Sequence, residues 1–306
     1  MITRREAVRL FGAASSGACL AAIPVPFNCS PSPNDLAATS DSAPPLAPGA
    51  PSSPERLSLI EEFLKRSEGL QDKYEAHVHK SDWDMPYRLF RPVGANGKMP
   101  LVVYLHGSGG SGDDNLKQLT LGNRFGTRVW LLPENQVRFS CYVVAPQTDR
   151  GWIRYDFSHQ PATQLPGFGD GARLALEIVD ELLREHSIDE RRIYLAGNSM
   201  GGAGVWNVLA NRPNFFAAAV ITSGSVSPDD GTGSVATPMW VFHGESDEIV
   251  PVSSARDRIA ARRKAGGDPL YTEYPGADHD SGARLGFTEP SLVKWVFDQR
   301  RQKRMG

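Results

Sequence analysis

The chain has 306 residues, 40% of them apolar and 22% charged, with a formal net charge of −2. That length can bury a sizeable core, and the composition is ordinary for a globular protein. A near-neutral balance argues against nucleic acid as a partner, and the three cysteines, Cys19, Cys29 and Cys141, fit neither a disulfide framework nor a zinc spacing.

Residues 1–27 read as an export signal of the twin-arginine type, with Arg4 and Arg5 ahead of the small-residue stretch "LFGAASSGACLAA". The stretch is too short and too weakly apolar to span a membrane. Gly17 and Ala18 before Cys19 raise the alternative of a lipid anchor there, although Ser16 stands where an aliphatic residue is expected. Residues 28–55 are rich in Pro, Ser and Ala without apolar periodicity and read as a disordered linker. Residues 56–306 are left for one folded domain, expected in the periplasm or outside the cell.

Within that domain, strands are expected over 87–91, 101–105, 142–145, 193–196, 217–222, 239–242 and 270–274. Several are continuous apolar runs, the pattern of parallel strands covered on both faces. Cys141, in "FSCYVVAP", reads as a buried small hydrophobe. The stretch "GARLALEIVDELLREH" sets Leu174, Ile178, Val179, Leu182 and Leu183 on one helical face. A last helix is expected to start near Thr288 and Pro290, bury Leu292, Val293, Val296 and Phe297, and end in the solvated run "QRRQKR". The alternation predicts an α/β fold, a mostly parallel central sheet with helices on both faces and the site beyond the carboxyl ends of the strands.

The motif that carries chemistry is "YLAGNSMGGAGVW", which holds Gly-x-Ser-x-Gly around Ser199 between a strand and a helix. That context marks a nucleophile elbow, and Gly197 and Gly201 supply the room that a tight turn needs. A serine needs a base, and only His243 and His279 follow it. His243 ends a buried strand, where a structural role fits better. His279, in the loop "YPGADHDSG", can reach the site. Between them "HGESDEIVPV" offers an acid: Asp247 is preferred and Glu245 is its rival. His77 and His79 show no metal-ligand pattern, and His159 and His186 read as surface or lid residues.

"LHGSGGSG" carries Gly-x-Gly-x-x-Gly at Gly107, Gly109 and Gly112, with Glu134 about twenty residues on, a literal dinucleotide fingerprint. No apolar helix follows it, so the glycines are better read as an oxyanion loop. The backbone N–H groups of Met200 and Ser108 are the expected donors, with Gly109 the alternative to Ser108.

The motifs "MPYRLFRP", "PLVVYLHGSGGSGDDN", "YVVAPQTDRGW", "IDERRIYLAGNSMGGAGVW", "MWVFHGESDEIVPV", "YTEYPGADHDSG" and "LVKWVFDQRR" occur in an order that resembles one known family. The chain is similar, over most of residues 80–301, to the α/β-hydrolase group of small bacterial carboxylesterases, which includes dienelactone-hydrolase-like and prolyl-oligopeptidase-like serine hydrolases. The family's serine, acid and histidine fall on Ser199, Asp247 and His279. Two departures stand out: no tryptophan closely follows His279, and Asn198 precedes the serine where a larger residue is usual. The resemblance implies hydrolysis of carboxylic esters, small or attached to a polysaccharide or polyester, without metal or organic cofactor. A peptidase or amidase on the same three residues is the alternative, and no stretch is long enough for the propeller of the large oligopeptidases. Trp152, with Tyr155 and Phe157, is expected to line the substrate pocket.

Overall fold

The computed structural model describes residues 53–94, 97–156, 163–225 and 235–301. The proposed export signal, all but three residues of the linker, Phe157 and His159 lie outside them. Helix α1 (Pro54–Arg66) opens the described chain, with proline in its first turn and Glu55 near its positive end. Pro54 and Glu55 therefore belong to a helix and not to the linker. Strands β1 (Glu75–His79), β2 (Met85–Phe90) and β3 (Met99–Leu105) follow. After two short helices, α2 (Asn123–Arg128) and α3 (Pro133–Arg138), comes β4 (Tyr142–Pro146). A two-stranded ribbon, β5 (Tyr155–Asp156) and β6 (Thr163–Gln164), leads to α4 (Asp170–Glu185) and β7 (Ile188–Asn198). The chain continues with α5 (Met200–Asn211), β8 (Ala218–Thr222), β9 (Met239–Gly244), α6 (Val252–Lys264) and β10 (Leu270–Tyr274), and ends in α7 (His279–Phe287) and α8 (Leu292–Asp298).

Eight strands form one sheet in the order β1-β2-β4-β3-β7-β8-β9-β10. From β4 to β10 every pairing is parallel, whereas β2 pairs antiparallel with both β4 and β1. The expected mostly parallel sheet is therefore present. Edge strand β1 was not anticipated: its half-exposed side chains include two histidines, a composition too polar to stand out as a strand.

Strand geometry sends successive side chains to opposite faces, which builds two cores. Leu101, Val103 and Leu105 of β3 pack with Leu174, Ile178 and Val179 of α4, Val205 and Trp206 of α5, and Ile259 of α6. Val102 and Tyr104 face the other way, toward Phe63 of α1, Phe125 of α2, Phe287 of α7 and Val296 of α8. Both faces are covered, which is why the strands read as unbroken apolar runs.

The carboxyl-terminal end differs from expectation. Thr288 closes α7, its N–H and hydroxyl both donating to the Arg284 carbonyl, and Pro290 lies in the connection before α8. Residues 299–301 of the basic run lie beyond the end of α8 at Asp298, and the remainder of the run lies outside the described residues. Arg301 then folds back: its N–H donates to the Arg191 carbonyl at 2.9 Å and its guanidinium donates to the carbonyls of Asn214 and Glu190.

Helix α5 approaches β3 closely through Gly204, where a Cβ would lie 2.5 Å from Trp152 Cβ and 3.2 Å from Leu105 Cδ1. Gly→Ala in a helix ordinarily stabilises by about 1 kcal/mol. Here overpacking reverses the sign, and Gly204→Ala is expected to lower the unfolding free energy by about 1–3 kcal/mol in a denaturant titration.

Candidate active site

Ser199 sits between the end of β7 and the start of α5 with φ 53° and ψ −117°, a conformation that a non-glycine residue seldom holds. Its surroundings force it there. The Ser199 N–H donates to the Thr222 carbonyl of the neighbouring strand at 2.9 Å, and its own carbonyl accepts from Ala203 N–H at 3.0 Å. A Cβ on Gly197 would overlap the Gly201 carbonyl, and one on Gly201 would overlap the carbonyls of Leu105 and His106. The two glycines let the end of β7 and the first turn of α5 pack backbone to backbone against the end of β3. The first N–H groups of α5, beginning with Met200, have no intrahelical partner and point their positive ends at the turn.

His279 begins helix α7 instead of lying in a loop; Asp278 caps that helix, its Oδ1 accepting from Ser281 N–H at 2.8 Å. Ser223, itself at φ 48°, donates its hydroxyl to the His279 carbonyl at 2.8 Å and fixes the backbone there. The imidazole bridges the other two residues. His279 Nε2 is 2.8 Å from Ser199 Oγ, and Nδ1 is 2.7 Å from Asp247 Oδ2. Glu245 is not part of this chain: it is exposed and accepts from Gly276 N–H at 2.9 Å.

Asp247 is buried and saturated with donors. Oδ1 accepts from the N–H groups of Ile249 at 3.0 Å and Val250 at 2.8 Å. Oδ2 has two histidines, His279 and, 3.2 Å away, His243 Nε2. His243 Nε2 is also 2.8 Å from the Val250 carbonyl. A carbonyl only accepts, so Nε2 carries the proton and shares it between that oxygen and the carboxylate. His243 Nδ1 is buried with no hydrogen-bond partner among the described residues. The reading of His243 as structural thus missed its contact with Asp247; the spacing of four in "HGESD" was the available signal.

The glycine-rich loop expected to hold the oxyanion follows β3 and is pinned by polar contacts. Gly107 N–H donates to Asn123 Oδ1 at 2.8 Å, and Gly110 N–H to the Gly107 carbonyl at 2.8 Å. Between them the amides of Ser108 and Gly109 take no part in those bonds, and both residues are exposed. His106 is fully buried, and burial pushes its imidazole down to about 4, so it is neutral near pH 7. Its Nδ1 lies 2.8 Å from the Gly107 carbonyl and donates to it, and Nε2 accepts from Thr148 N–H at 3.1 Å.

Trp152 does not line a pocket. It is fully buried, its indole N–H donates to the His106 carbonyl at 2.9 Å, and Gly204 packs against its side chain. An indole in the core with its one donor satisfied braces the end of β3 from beneath. Tyr155 is exposed. The dinucleotide reading also fails locally: Gly112 is followed by a short 3₁₀ turn, Lys117–Leu119, and then by the six-residue α2, and Glu134 pairs with Arg66 of α1. His79 lies between Glu177 and Glu181 of α4, and the Cys141 thiol is buried and pushed up to about 12.

Burial alone would raise the Asp247 carboxyl, but hydrogen bonds from His243, His279 and Val250 N–H outweigh it and hold the group well below the usual carboxylate range. A depressed folded-state value stabilises the fold above the unfolded value of about 3.9, and the contribution is lost as pH falls through the folded value. The stability gap between the parent and Asp247→Asn should therefore be widest near neutral pH and shrink as pH drops toward 3. Urea titrations across that range check it; a gap independent of pH would contradict it.

Among the described residues no helix is long and apolar enough to cross a membrane. A model of the Esterase PHB depolymerase family matches residues 85–259. A solved thermostable esterase is similar at a TM-score of 0.70 with 35% identity, over 76% of this chain and 64% of that one. A bifunctional acetylxylan esterase/xylanase from Neocallimastix patriciarum is 25% identical over 162 residues, 53% of this chain and 21% of that protein. A bis(hydroxyethyl) terephthalate hydrolase from Streptomyces coelicolor is 32% identical over 94 residues, 31% of this chain and 30% of that protein. The matched part of the chain thus spans under a third of either relative. The family match runs from β2 into α6, through the glycine-rich loop after β3, the serine turn and Asp247, and on that ground the chain belongs to the Esterase PHB depolymerase family, with the α/β-hydrolase fold.

Proposed function

We propose that the protein is a serine carboxylesterase that works through an acyl-enzyme. The observation that carries this reading is the chain of hydrogen bonds Ser199 Oγ–His279 Nε2 and His279 Nδ1–Asp247 Oδ2, at 2.8 and 2.7 Å. Ser199 Oγ attacks the ester carbonyl carbon while His279 Nε2 takes its proton. Asp247 holds the ring in the tautomer with Nδ1 protonated and stabilises the imidazolium that forms. The carbonyl oxygen, now negative, is held by the backbone N–H groups of Met200 and Ser108. His279 then gives its proton to the departing alcohol. Water, deprotonated by His279, attacks the acyl-serine and releases the acid and Ser199.

Esters are favoured over amides by the names of the relatives, which act on acetylxylan and on bis(hydroxyethyl) terephthalate. The first is an ester carried by a polysaccharide and the second a small aromatic diester, so polysaccharide-linked esters and aromatic esters, free or in polymers, are the substrates to test first. In this reading the catalytic domain begins with α1 at Pro54, preceded by an export signal at 1–27 and a linker that ends before that helix, and the enzyme acts outside the cytoplasm.

Ser199→Ala should reduce turnover of p-nitrophenyl acetate by at least about 10³-fold, and Asp247→Asn by about 10³–10⁴-fold, chiefly in kcat. Both variants should stay folded by circular dichroism. Wild-type turnover that survives Ser199→Ala would overturn the assignment.

A further inference from the structure

We infer that Leu121 is the wall that receives the acyl group of the substrate, a specificity-determining residue for the reaction proposed above, on which the inference rests. Leu121 combines two unfavourable features. It is 66% exposed, and its backbone has φ 48°, in the left-handed region that favours glycine and asparagine. Asparagine or glycine would relieve both the strain and the exposure. Strain of this kind collects at ligand-binding positions.

The place of Leu121 says what the ligand is. Its Cδ1 lies 3.9 Å from where a side chain on Gly109 would begin, so it stands directly beside the oxyanion loop. The residues after it belong to the same frame: Gly122 sits near Asn198 Nδ2, and Asn123 Oδ1 accepts the Gly107 N–H. Sheet order places this frame, carried by β3, on one flank of Ser199, whereas Asp247 and His279 come from the β9–β10 flank.

The tetrahedral carbon has four substituents with fixed destinations. One is Ser199 Oγ, and the oxyanion points at the amides of Ser108 and Met200. The alcohol oxygen must face His279 Nε2 to receive its proton, which puts the alcohol on the β9–β10 flank. The acyl chain is left for the opposite flank, where Leu121 offers an apolar surface. A Cβ on Gly109 would meet Leu121 Cδ1 and no other described atom within 4 Å, so the bare glycine leaves that surface open toward the loop. The substrate class that follows is an ester whose acyl part is apolar and several carbons long or aromatic.

The test compares the parent with Leu121→Ala and Leu121→Asn on p-nitrophenyl esters from acetyl to octanoyl and on acetates of varied alcohols. Each methylene that leaves an apolar contact is worth about fourfold. For hexanoyl and longer esters kcat/KM should fall by about 5–10-fold, mostly through KM, while acetyl esters stay within about twofold and the alcohol series keeps its order. Leu121→Asn should unfold at or above the parent's denaturant midpoint, since it relaxes the backbone. An equal fall for all acyl lengths, or none, would overturn the inference. Labelling of Ser199 by methyl- and hexylphosphonofluoridate separates the two claims. A parent that turns over no ester defeats the esterase reading, whereas a hexyl-to-methyl labelling ratio unchanged by Leu121→Ala defeats the acyl wall.

Discussion

The close approach of two strand ends governs the site. The turn after β7 presses against the end of β3 with no side chain between them, because Gly197, Gly201 and Gly107 each leave room that a Cβ would take from a backbone atom or from Asn198 and Ser199. That contact holds Ser199 at φ 53°. The strain of one residue is carried by a sheet and two cores whose order does not depend on it, the usual way in which such strain persists.

Buried polar groups hold the two flanks. On one side Trp152, His106 and Asn123 fix the β3 end and the loop beyond it. On the other, His243 and two backbone N–H groups fix Asp247, and Ser223 fixes the start of the His279 helix. Removing one partner from such a network leaves a desolvated group behind, so these residues matter more than their distance from Ser199 suggests.

How much of this was legible in the sequence depended on how local each constraint is. The serine turn is written in five consecutive residues, and the order of motifs after it singles out Asp247 and His279, which lie in one hydrogen-bonded chain with Ser199. The parallel strands were readable because coverage on both faces makes them continuously apolar. Trp152 was misplaced because an aromatic after a strand end can turn outward or inward, and nothing in "GWIRYD" says that Gly204, on a distant helix, leaves a slot for it. Likewise β1 was missed because an edge strand with one solvated face has little apolar signal, and His243 because its role depends on the fold of the Asp247 loop. The end of α7 at Thr288 turns on a side-chain hydrogen bond that spacing does not reveal.

The most direct measurement is rapid acid quench during the first turnovers of p-nitrophenyl acetate, followed by peptide mass analysis. A burst of nitrophenol close to one per chain, with an acetyl group on the peptide that contains Ser199, is the predicted result. Turnover with no burst and no acetylated peptide, or acetylation at another residue, would contradict an acyl-enzyme on Ser199.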